Sequence, residues 1–126
     1  MSVFATGQNI YMRKGDTGNM SFNGLPTDKS YNAYLSIYDE ENSRILAEIS
    51  TIVNNGSATF TLTESFSNSL PVGDWVYGLK ITAMVEGLVM EDTVLPRTYI
   101  DDNGKLVNEP APTFTVDEKY VKGENE

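Results

Sequence analysis

The chain has 126 residues, 40% of them hydrophobic, and carries 18 acidic against 9 basic side chains for a net charge of -9. That length fits one domain, and a domain of this size buries roughly two-thirds of its unfolded surface without needing a disulfide or a metal. There is no cysteine and no histidine, which removes Cys and Ser-His nucleophile systems, thiolate or imidazole zinc sites and the usual neutral-pH proton shuttle. The acidic surplus repels nucleic acid unless basic residues are segregated, and Arg13-Lys14 is the only adjacent basic pair.

Along the chain the hydrophobic period is two. Ala33, Leu35 and Ile37 alternate with Tyr34, Ser36 and Tyr38; Ala58, Phe60 and Leu62 alternate with threonines; Tyr77, Leu79 and Ile81 alternate with Gly78, Lys80 and Thr82. Such runs, rich in β-branched and aromatic residues, are half-buried strands. The pattern predicts strands near 9–14, 18–23, 31–39, 44–52, 57–63, 74–84, 88–95, 98–101, 105–108 and 113–117. Turn signals fall between them every ten residues or so, the spacing of a sandwich or barrel. Asn55-Gly56 and Asn103-Gly104 suit type I′ turns, which need positive φ. Glu64 to Leu70, after Thr63 as N-cap, reads as a helical connector. No repeat or linker divides the chain.

Several motifs invite a chemical reading and then decline it. Asp16-Thr17-Gly18 spells an aspartic-protease triplet, but Lys14-Gly15 before it and Asn19 after it make a solvated hairpin turn. Asp101-Asp102-Asn103-Gly104 fails as a calcium loop because the first and twelfth positions would be Tyr99 and Pro110. Glu91-Asp92 interrupts the apolar run Leu88 to Leu95 and reads as an edge strand blunted by charge. Trp75 reads as core. Tyr31, Tyr34 and Tyr38 could line an outward face that stacks on sugars, although core and interface roles fit aromatic residues in a small sandwich better. The expectation is a non-enzymatic protein with no cofactor and no metal. Met1 to Gln8 lacks a basic and apolar leader, so no signal peptide is expected, and no run approaches the ~20 apolar residues of a membrane span. The triplets at Asn19 and Asn55 are read as chance matches to a glycosylation motif.

Three stretches together resemble small immunoglobulin-like β-sandwich proteins of tailed-bacteriophage virions. They are Ile10-Tyr11-Met12-Arg13-Lys14-Gly15-Asp16-Thr17-Gly18, Pro71-Val72-Gly73-Asp74-Trp75-Val76-Tyr77-Gly78-Leu79-Lys80, and Glu91-Asp92-Thr93-Val94-Leu95-Pro96. The likeness runs over about residues 8–96 and is to the first domain of baseplate upper proteins, which continue into further domains. It implies an all-β, immunoglobulin-like antiparallel sandwich serving as a virion structural or accessory part: a capsid auxiliary or decoration protein, or a head-fibre or tail adaptor. The implied partners are other virion proteins of capsid or tail and copies of itself, with no nucleic acid and no membrane. The location is the virion after synthesis in the host cytoplasm. The alternative is a carbohydrate-binding β-sandwich module.

The last section reads differently from the rest. Pro96, Pro110 and Pro112 interrupt regular pairing, so residues 1–109 are expected to form the sandwich and 110–126 an extended C-terminal arm. Phe114 and Val116 share one side of a period-two run and suit insertion into a partner by strand addition. The candidate partner-binding residues are therefore Pro110, Pro112, Phe114, Val116 and Tyr120.

Overall fold

The computed structural model describes residues 4–6 and 9–118. Eleven strands and one short helix lie among them, in the order β1 (Phe4–Thr6), β2 (Asn9–Arg13), β3 (Gly18–Phe22), β4 (Asn32–Asp39), β5 (Arg44–Ile52), β6 (Ala58–Leu62), α1 (Glu64–Ser69), β7 (Gly73–Val85), β8 (Leu88–Leu95), β9 (Thr98–Ile100), β10 (Leu106–Asn108) and β11 (Thr113–Asp117). The all-β expectation holds, and the strand boundaries agree with the alternation to within a residue or two. β1 carries no alternation of its own and was not anticipated.

One large sheet runs β1-β2-β11-β7-β4-β5, with β8 added along the upper half of β7. A two-stranded sheet, β3-β6, packs across it. The alternation explains the packing. Leu35 and Ile37 of β4, Tyr77, Leu79 and Ile81 of β7, and Ile10 and Met12 of β2 face inward, and Met20, Ala58, Phe60 and Leu62 answer from the small sheet. A chain of aromatic rings runs through the core and crosses the layers at Phe22 and Tyr77. Phe22 meets Phe60 edge-on at 6.0 Å and Tyr77 at 6.2 Å, and Tyr77 meets Phe114 edge-on at 6.2 Å, separations at which the ring quadrupoles attract.

The C-terminal expectation is corrected here. β11 is no arm: it is an interior strand of the chain's own sheet, parallel to β2 and antiparallel to β7. Phe114 and Val116 have no exposed surface and fill the core, so the sandwich continues to Asp117 and does not end at 109. The prolines still do what prolines do. They stop pairing before β11 begins, and the Pro112 carbonyl then accepts from the Tyr77 amide at 3.0 Å. Pro110 is exposed and Pro112 buried; Tyr120 lies outside the described residues.

The turns obey their chemistry with one exception. Asn55 and Gly56 both have positive φ (54° and 77°), as do Glu86 and Gly87 (51° and 82°), the geometry of a two-residue I′ hairpin turn. At 103–104 only Gly104 is positive. There the Asp101 carboxylate accepts from the amides of Asn103 and Lys105, both at 2.9 Å, and that side-chain turn removes the need for positive φ at Asn103.

Candidate functional site

The motif stretches are structural in their local roles. The Arg13–Asp16 turn closes with the Asp16 amide donating to the Arg13 carbonyl at 3.0 Å. It is not the expected hairpin, because β2 and β3 belong to different sheets; the turn carries the chain across the sandwich. The Lys14 ammonium donates to the Leu70 carbonyl and the Gly15 amide to Ser67 Oγ, each at 2.8 Å. Helix α1 is thereby fastened to the turn, with Thr63 Oγ1 capping it by accepting from the Phe66 amide. Trp75 is half-buried against the core and donates from Nε1 to the Pro71 carbonyl at 2.8 Å. A side chain on Gly73 would come within 2.6 Å of that indole, so glycine is required for the ring to lie back over the strand. Gly73 and Trp75 therefore have architectural duties, and Asp16 contributes its backbone amide to the turn.

The three tyrosines do not form one face. Tyr34 and Tyr38 point outward from β4, on the side away from the buried Ala33, Leu35 and Ile37. Tyr31 precedes the strand, packs against the core and donates its hydroxyl to Asp28 at 2.8 Å. That hydrogen bond, followed by burial and the charges of Asp28 and Asp92, holds the Tyr31 hydroxyl above its ordinary pKa. The Lys80 ammonium lies 5.6 Å from the centre of the Tyr34 ring and 3.6 Å from a Glu91 carboxylate oxygen. The face of Tyr34 is thus already occupied by a cation. Around this pair runs a shallow open groove of about 760 Å³, lined by Asn32, Glu48, Thr82, Met84 and Val89 among others.

An open apolar surface is formed by β8 and the hairpin it shares with β7. Register pairs Thr82 with Glu91, Ala83 with Met90, Met84 with Val89 and Val85 with Leu88. Opposed residues share a face, so Val89 and Glu91 look out with Met84 and Thr82, whereas Leu88, Met90 and Asp92 look to the opposite side. Both sides are open: Leu88, Val89 and Met90 are 68%, 59% and 56% exposed, and all six residues from Leu88 to Thr93 are exposed. β7 is the only strand paired with β8 among the described residues, and no described backbone hydrogen bond reaches β8 from outside that pair. An unpaired row of N–H and C=O groups beside apolar side chains is a template for another strand. The expected edge strand is present, with Glu91 and Asp92 as its charges.

The residues named in advance are divided by this geometry. Phe114 and Val116 are occupied inside the fold, and Pro112 is buried with them. What sequence reading missed was the exposed apolar surface of Met84, Leu88, Val89 and Met90. The signal was available: a five-residue apolar content in Leu88 to Leu95, broken by adjacent acids that a strand enclosed on both faces could not hold unpaired.

Neither a protein-family model nor a curated protein sequence matches the chain.

Proposed function

We propose that this chain is a non-enzymatic structural or accessory protein of a tailed-phage particle, attached through protein–protein contacts at the β8 edge. The observation that carries the attachment is the strand itself: six consecutive exposed residues, three of them large and apolar, along an edge with no described partner beyond β7. Contiguous exposed apolar surface of this kind marks interaction sites, and strand addition is an established way for a sandwich to join a neighbour. The virion setting rests on the three stretches that resemble virion sandwiches.

An immunoglobulin-like arrangement is part of the same proposal. It is supported by the sheet order β2-β11-β7-β4-β5 facing β3-β6, in which β11, β7 and β4 fall where the G, F and C strands of a variable-type domain would, with β5 added beyond C. Fold alone does not choose a function, so the test is composition. Mass spectrometry of purified particles should find the protein at a fixed copy number. Recovery only in the soluble host fraction would contradict the virion assignment.

A further inference from the structure

The free edge of β8 has a charge pattern, and that pattern narrows what can pair with it. Glu91 and Asp92 sit at its centre on opposite faces, and Glu86 stands at the hairpin turn. Among the described residues the cation in an ion pair here is Lys80, 3.6 Å from Glu91, with both side chains partly in solvent. Among the described residues, no ion pair reaches Asp92.

A second copy is a poor occupant. Antiparallel pairing of two β8 strands along their full length would set Glu91 of each opposite Asp92 of the other. Centring the pair on Met90 would set Val89 against Glu91 and Leu88 against Asp92, acids against apolar side chains. Centring it on Val89 would oppose Glu86 to Asp92 and leave Leu88 and Met90 as the only other strand residues in register. Like charges directly opposite each other destabilise strand pairs, and the chain's net charge of -9 adds long-range repulsion between copies.

We propose that the β8 edge accepts an extended segment of a different protein, one with two adjacent basic residues at its centre and apolar residues beside them. This rests on the attachment reading above and specifies its partner. The adjacent basic residues are needed because neighbours in a strand point to opposite faces, as Glu91 and Asp92 do. The apolar flank covers Leu88, Val89 and Met90.

The full chain can be tested with three nine-residue peptides sharing alternating valine–threonine flanks. Their centres are lysine–arginine, glutamine–glutamine or glutamate–glutamate, and backbone amide shifts are followed by NMR during titration. The expected result is binding at β8 amides, about fivefold tighter for the basic centre than for the neutral one, as two cross-strand ion pairs would give. The acidic peptide should be weakest, and Glu91→Gln with Asp92→Asn should erase the ranking of the three peptides. Equal binding of basic and neutral peptides at β8 would overturn the charge assignment and leave edge attachment standing. Failure of every peptide to move β8 amides would overturn both. Concentration-dependent shifts at β8 without peptide would instead make the occupant a second copy.

Discussion

β11 and β8 invert the simplest expectation from composition. β11 has two apolar residues in five and is an interior strand with Phe114 and Val116 fully enclosed. β8 has five in eight, yet its apolar N-terminal half lies in solvent on both faces. Hydrophobicity does not account for the difference; neighbours do. β11 is flanked by β2 and β7 and covered by the layer carrying Phe60 and Leu62, whereas β8 pairs with β7 alone among the described residues. One strand is spent on holding the domain together. The other keeps one edge open among the described residues.

Removing β11 is the severest way to test that contrast. Truncation after Glu109 takes away the strand that joins β2 to β7 and both enclosed side chains, so cooperative unfolding in denaturant should be lost. A folded, soluble truncation would restore the arm model. A gentler version is Phe114→Ala, which should cost about 3–5 kcal/mol, the usual range for emptying a buried aromatic site. Phe60→Ala, from the facing layer, should cost a similar amount. By contrast Thr61→Ala should stay within about 0.5 kcal/mol, since Thr61 is exposed on the other side of the same strand. Urea midpoints compared at constant slope give all three values. Leu88→Ser, the counterpart in β8, should also remain within about 0.5 kcal/mol.

These sites also show what the sequence made legible. Period-two alternation located β4, β6, β7 and β11, and Thr63 marked the start of α1, because side-chain pleat and capping are local properties. Alternation does not say whether the partner of Phe114 belongs to the same chain. The register of β11 with β2 joins residues about a hundred positions apart, and no local rule encodes that closure. Pro110 and Pro112 favoured an arm because they end pairing, but a chain can stop pairing and then re-enter the sheet. The edge character of β8 was readable from Glu91 and Asp92; the exposure of Leu88, Val89 and Met90 was not readable from their run alone, because an apolar run does not say what covers its faces.

The smallest effect concerns the β4–β5 turn, which belongs to neither strand. Hydrogen bonding from the Asn42 side chain, opposed by desolvation and aided by the Asn42 amide and Arg44, holds the Asp39 carboxyl below the ordinary aspartate range. Its stabilising contribution is therefore complete above the unfolded value and disappears as pH falls through the lower folded one. Asp39→Asn should flatten the acid limb of a stability–pH curve slightly. An unchanged limb would show that the turn does not report on acid unfolding.

The central claim is that β8 attaches the protein and β11 does not, and particle occupancy measures it most directly. The variant carrying Leu88→Ser, Val89→Ser and Met90→Ser should melt with the parent protein, because those side chains are exposed. Mixed with particles lacking the native protein, it should fail to bind where the parent binds to saturation. A variant that folds and still reaches full occupancy would contradict the account.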